Sequence, residues 1–214
     1  MSDFTLIIGN KNYSSWSLRG WLALKHTGVE FGEIVIPLRR PETPGLLREH
    51  SPSAKVPNLK SPDGDIWDSL AMCEYLAESF PAAGLWPAAK TTRAHARAVS
   101  AEMHSGFAAL RSAMPMNMRD TLPMPELKDD LAKDIARVET IWQDCRQRFG
   151  QDGPFLYGAF SIADCMFAPV ASRFATYQTP VSQLSQAYIG SLHAWPDMIE
   201  WMAAAKDEPW VIEF

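Results

Sequence analysis

Near the start of the chain two hydroxyls stand side by side in NYSSWSLR (12–19), between a short apolar run at 4–9 and a stretch with helical periodicity. A serine at such a junction is a helix N-cap, its oxygen accepting an N–H of the first turn. The same position holds anions, a thiolate among them, because free N–H groups and the positive end of the helix dipole converge there. Ser14 and Ser15 both qualify. Two further junctions carry the same ambiguity. Lys55-Val56-Pro57 runs into a strand, where a leading proline gives up no central ladder bond. With a cis Val56–Pro57 bond, Val56 would offer its N–H and C=O to an extended peptide as a strand edge does. Asp68-Ser69 sits at a strand-to-helix turn. It serves there as a cap, or as a grip on a ligand, with hydroxyl and amides for a carboxylate and Asp68 for an ammonium.

Other chemistry finds little support. The five histidines, His26, His50, His95, His104 and His193, show no metal-type spacing, so no metal is expected. Cys73, Cys145 and Cys165 form no CxxC pair and read as buried free thiols, which suits a reducing cytoplasm. The net charge is −5 without a clustered Lys/Arg run, which argues against nucleic-acid and anionic-membrane partners. No apolar stretch nears the roughly 18 residues of a membrane span. The opening MSDFTLIIGN has no basic stretch ahead of its apolar run and reads as the start of a strand, not a secretion signal. At 47% hydrophobic and 21% charged residues, a packed core is expected.

Periodicity indicates the elements that must position the three junctions. Residues 4–9 read as a buried strand and 14–27 as a helix, with Leu18, Trp21 and Leu22 on one face and Gly28 as its stop. Residues 30–36 read as a second strand, and a short helical stretch at 45–50 follows. Residues 57–60 and 65–68 flank SPDG and form a hairpin. Ser69 opens a helix through Leu70, Cys73, Leu76 and Phe80. The order β-α-β-(α)-β-β-α implies a parallel pair with an antiparallel edge. The Pro/Gly-rich stretch 81–87 ends this pattern, and no strand is expected beyond it. Val99, Met103, Phe107, Leu110 and Met114 read as one face of a long helix. Leu127, Leu131, Ile135, Val138, Trp142, Cys145 and Phe149 read as another. SIAD at 161–164 is a capping-box start with Asp in place of Glu. Pro196 suits the first turn of a last helix carrying Met198, Trp201, Met202 and Ala205. The fold class is α/β followed by all-α, with an α/β domain at 1–81, a linker at 82–90 and a helical domain at 91–214.

Three such junctions in this order, on a βαβ-ββα module followed by helices, resemble the cytosolic glutathione transferases over essentially the whole chain. SPSAKVP (51–57) and DSLA (68–71) match that family's two glutathione-binding segments, and FP (80–81) with LWP (85–87) matches its interdomain stretch. SIAD resembles its helix-capping motif, a folding feature. Within the family, YSSWSLR (13–19) is similar to the serine-type SSCSxR pattern of the zeta class, which includes maleylacetoacetate isomerases. Trp16 stands where that pattern has cysteine, which also separates the chain from cysteine-type, disulfide-exchanging relatives. The resemblance implies a thioredoxin-like first domain and a helical bundle after it. It implies glutathione as co-substrate, with Ser14 catalytic and Ser15, Val56, Pro57, Asp68 and Ser69 binding the tripeptide. Asp68 replaces the Glu or Gln of many relatives opposite the γ-glutamyl ammonium. The basic partner of the glycyl carboxylate stays open among Arg39, Arg40 and His50. The small-molecule electrophile would lie between the domains near His104, Phe107 and Arg111, in a cytoplasmic homodimer.

Such an enzyme activates glutathione as the thiolate. A free thiol, with pKa near ~8.5, is only a few per cent ionised at neutral pH. A hydrogen bond from Ser14 to charged sulfur contributes ~1.5–3 kcal/mol, about one to two pKa units. The implied function is a glutathione transferase acting on a small electrophile. Its alternatives are a glutathione-dependent isomerase of the maleylacetoacetate type and a non-catalytic binding module of the same fold. A thioredoxin-type oxidoreductase fails, since the first turn has no cysteine.

Overall fold

The computed structural model describes residues 3–213. Leu6, Ile7 and Ile8 are wholly buried, so β1 (Thr5–Gly9) has no wet face and lies inside its sheet. β2 (Gly32–Ile36) runs parallel to it, with Ile7 opposite Ile34. β3 (Asn58–Ser61) runs antiparallel on the other side, with Leu6 opposite Leu59. β4 (Gly64–Ile66) completes the order β2-β1-β3-β4. Helix α1 (Ser15–His26) links the parallel pair and buries Leu18, Trp21 and Leu22. Its stop is Gly28 at φ +76°, a conformation glycine adopts at little cost. α2 (Thr43–His50) and α3 (Ser69–Ser79) complete the first domain.

The second domain contains α4 (Lys90–Ser105), α5 (Ala108–Ala113), α6 (Asp129–Phe149), α7 (Ile162–Thr176), α8 (Gln183–His193) and α9 (Pro196–Asp207). Every residue from Ile162 to Phe174 is buried, so α7 is a core helix, apolar nearly all round. It packs on α1 as well as on α4 and α8, and one hydrophobic core therefore runs through both domains. Asp164 fixes its start. The carboxylate accepts the Ser161 N–H at 2.9 Å, the Ser161 hydroxyl at 2.9 Å, the Leu156 N–H at 3.1 Å and the Tyr188 hydroxyl at 3.0 Å. Burial pushes this carboxyl up to about 6 against those four donors. The linker docks here too, Leu85 C=O accepting the Ile162 N–H at 2.9 Å.

The structure departs from the periodic reading in two places. The face from Val99 to Met114 is not one helix: α4 ends at Ser105, Gly106 is extended, Phe107 takes φ +61°, and α5 starts at Ala108. A Cβ on Gly106 would lie 2.8 Å from the Glu102 carbonyl oxygen, so the break needs glycine. Val99, Met103, Phe107, Leu110 and Met114 remain buried across it, which is why they mimic an unbroken face. Leu127 precedes α6 and is 59% exposed; the apolar stripe of α6 starts at Leu131. Boundaries shift slightly elsewhere, β2 starting at Gly32 and α2 at Thr43. Helix α8, absent from the periodic reading, carries Leu184, Tyr188 and Leu192 at helical spacing and buries the last two.

Candidate active site

After Gly9 the chain turns sharply. The Asn10 carbonyl accepts N–H groups from Tyr13 at 3.1 Å and Ser14 at 2.8 Å, and α1 begins. Ser14 is its N-cap, accepting the Ser17 N–H at 3.4 Å, with its hydroxyl oxygen 2.7 Å from Ser17 Oγ. Ser17 Oγ in turn accepts the Gly9 N–H at 3.0 Å. The two hydroxyls and the end of β1 thus form one buried chain of hydrogen bonds at the helix N-terminus.

Two cavities meet at Trp16. One, of about 510 Å³, is bordered by Lys55, Val56, Pro57, Trp67, Asp68 and Ser69, and the Val56–Pro57 bond is cis. Four residues singled out in sequence for the tripeptide therefore share a single hollow. The other, of about 380 Å³, is bordered by Tyr13, Ser15, Arg111, Met116 and Arg173. Ser15 belongs to this second cavity, whereas Ser14, equally buried, borders neither.

The junction is strongly positive. The Trp16 ring lies 4.5 Å from the Arg19 guanidinium carbon and 4.6 Å from that of Arg111. The His104 ring meets it edge-on, with centroids 5.2 Å apart. Burial, helped by Arg173 and Arg111, pulls Arg19 down to about 9. Burial and Arg111 pull Arg173 down to about 10. Both remain charged at pH 7. Arg173 Nε donates to the Met114 carbonyl at 2.7 Å, but its buried Nη1 has no partner among the described residues, nor do Nε and Nη1 of Arg19. Three guanidiniums share this region, and Asp68 is the carboxylate that acts on Arg19. Asp68 caps α3 through the Leu70 N–H at 2.8 Å, and its other oxygen lies 3.1 Å from His104 Nε2, tying the domains together. His104 is held below the usual imidazole range, chiefly by burial, against the opposing pull of Asp68. Burial raises the Cys73 thiol to about 12, leaving it inert.

The remaining sequence candidates are divided. Phe107 packs in the core. Arg39, Arg40 and His50 do not border the hollow of Val56, Pro57, Asp68 and Ser69, whereas Lys55 does. Arg173, which borders the second cavity, and Arg19, buried against Trp16, are not among the sequence candidates. The signal for Arg173 was present: a lone arginine inside the otherwise apolar α7 has to serve a ligand or a structural partner.

Residues 13–79 match the family model described as glutathione S-transferase, N-terminal domain, and residues 93–204 match that of the C-terminal domain, the second alone spanning over half the chain. The chain belongs to the glutathione S-transferase family. A probable maleylacetoacetate isomerase of Caenorhabditis elegans is 39% identical to the new family member over 98 residues, 46% of this chain and 45% of that protein. The chain thus matches less than half the length of this curated relative. Two solved structures share its fold. A glutathione transferase homologue from Burkholderia gl BGR1 with bound glutathione has a TM-score of 0.73 at 22% identity, covering 96% of this chain and 99% of its own. A holo maleyl pyruvate isomerase, a bacterial glutathione S-transferase in the zeta class, has a TM-score of 0.72 at 20% identity, covering 95% and 99%.

Proposed function

We propose that this family member binds glutathione as its thiolate and directs it at a small electrophile carrying carboxylates, by conjugation or by cis–trans isomerisation. The observation that carries this reading is the set of Arg19, Arg111 and Arg173 around Trp16, with buried guanidinium nitrogens unpartnered among the described residues. Buried cationic donors are costly unless an anion meets them. A diacid supplies two. The names of the nematode relative and the bacterial neighbour, maleylacetoacetate and maleyl pyruvate isomerase, point the same way.

In this mechanism the tripeptide lies along Val56, Pro57, Asp68 and Ser69 and brings its sulfur to the N-terminus of α1. Each hydroxyl both donates and accepts. When Ser14 turns its proton to the sulfur, Ser17, anchored on the Gly9 N–H, turns its own to Ser14. The hydrogen bond and the helix end both favour the charged sulfur. Arg111 and Arg173 hold the electrophile's carboxylates from the Ser15 side. For isomerisation the thiolate adds to an alkene carbon, the former double bond rotates, and the thiolate leaves, so glutathione is regenerated. We also read the protein as a cytoplasmic homodimer: its three buried unpaired thiols suit a reducing compartment, and the family resemblance supports the dimer.

A glutathione-dependent assay comparing a cis-dienoic diacid with a neutral aryl halide tests this reading. Arg111→Gln should lower kcat/KM for the diacid about 10- to 100-fold, the worth of a charge-assisted hydrogen bond of ~1.5–3 kcal/mol, and leave the halide within about twofold. Equal losses on both substrates would remove the carboxylate-binding role.

A further inference from the structure

The turn that presents Ser14 is held from outside its own domain. Segment 208–213, which follows α9, crosses back over residues 10–13. The Glu208 carboxylate spans two consecutive amides, accepting the Lys11 N–H at 2.6 Å and the Asn12 N–H at 3.0 Å. Trp201 in α9 donates its indole N–H to the Lys11 carbonyl at 2.9 Å. Asn12 Oδ1 accepts the Met118 N–H at 2.6 Å. Arg119 locks the strap in place, donating to the Glu208 carbonyl at 2.8 Å, to the Trp210 carbonyl at 2.5 Å and to the Tyr13 hydroxyl at 3.3 Å.

We propose that Glu208 is a positioning residue: by clamping the amides of residues 11 and 12 it fixes the turn from which Ser14 addresses the glutathione sulfur. This rests on the reading of Ser14 given above. Tertiary contacts must set such a turn, because Asn10 to Tyr13 make few hydrogen bonds among themselves beyond those converging on the Asn10 carbonyl. A carboxylate shared between adjacent amides is a charge-assisted clamp stronger than a neutral pair. The second domain thereby helps set the geometry of a group that belongs to the first.

The sign of the effect separates positioning from a simple field. Acting only through its charge, Glu208 would disfavour a nearby thiolate, and its neutralisation would lower the bound thiol's pKa. Acting as a clamp, its loss lets the Ser14 hydroxyl drift, and that pKa rises. The experiment titrates the thiolate absorbance of glutathione bound to the parent, to Glu208→Gln and to Arg119→Lys, with hydrogen exchange followed at the amides of residues 11 and 12. The expected result for Glu208→Gln is faster exchange at both amides, a thiol pKa about one unit higher and a kcat near pH 7 down roughly three- to eightfold, with KM for glutathione within about twofold. Arg119→Lys, which loosens the strap without touching those amides, should move the thiol in the same direction and so covers the case in which Glu208→Gln folds poorly. A titration that is unchanged or shifted downward in folded variants overturns the proposal, even if exchange quickens. A parent that fails to lower the pKa of bound glutathione overturns the reading of Ser14 itself, a distinct result.

Discussion

Ser14→Ala and Ser15→Ala should separate two adjacent hydroxyls that the fold gives different surroundings. Ser14 lies in the buried chain with Ser17 and Gly9, while Ser15 borders the cavity of Arg111 and Arg173. Loss of Ser14 removes one hydrogen bond to a charged sulfur, ~1.5–3 kcal/mol, which is about one to two pKa units on the bound thiol. At a pH below the thiol's pKa the thiolate fraction, and with it kcat/KM, falls by about 10- to 100-fold. The variant also loses an N-cap, at about 1 kcal/mol, or roughly 2–4 °C in Tm for a chain of this length. Ser15→Ala should leave Tm and the thiol titration close to the parent and act instead on KM for the electrophile. Thiolate absorbance against pH, with thermal melts on the same preparations, reads all of these. The reasoning fails if Ser15→Ala shifts the thiol while Ser14→Ala titrates like the parent.

Trp16 borders both the hollow of Val56, Pro57, Asp68 and Ser69 and the second cavity. Trp16→Ala should join them and raise the kcat/KM ratio of bulky to small electrophiles severalfold, while releasing two cation–π contacts, ~2 kcal/mol for the buried Arg19 and ~0.5–1 kcal/mol for Arg111. An unchanged ratio would show that the indole is no partition. Stability should also follow the histidines. His26, His95, His104 and His193 are each held below the usual imidazole value, chiefly by burial. The unfolded chain therefore takes up protons first, and their contribution is complete above about 6.5 and lost as pH falls through their lowered values. Asp164, raised to about 6, acts in the opposite sense only as pH falls through about 6. Tm should thus hold from pH 8 to about 7 and decline as pH falls from about 7 to 6, and a flat or rising Tm over that lower range would contradict these burial shifts.

Local pattern reveals what depends on local physics. The apolar run at 5–9 with β-branched Ile7 and Ile8, the SPDG turn, the Asp164 cap and the helix started by Pro196 were all legible, because period, turn chemistry and capping act within a few residues. So were the hollow of Val56, Pro57, Asp68 and Ser69 and the family itself, since each motif is contiguous. The break at Gly106 escaped notice because burial kept Phe107 on the same face as Met103 despite the reversed backbone. Arg111 and Arg173 are each visible in sequence, but their meeting at one cavity is not. Arg19 sits one turn from Trp16 in α1, whereas Arg111 reaches that ring from α5 and Arg173 borders the adjoining cavity from α7, placements that only the tertiary fold makes. The clamp from Glu208 to residues 11 and 12 spans nearly the whole chain. Sequence by itself determined which residues cap their helices and which motif residues gather at one hollow; tertiary structure alone decided what charge borders the second cavity and what holds the serine turn. The physical reason is that charge and position at a cleft are summed over distant segments, whereas caps and turns are settled within a single one.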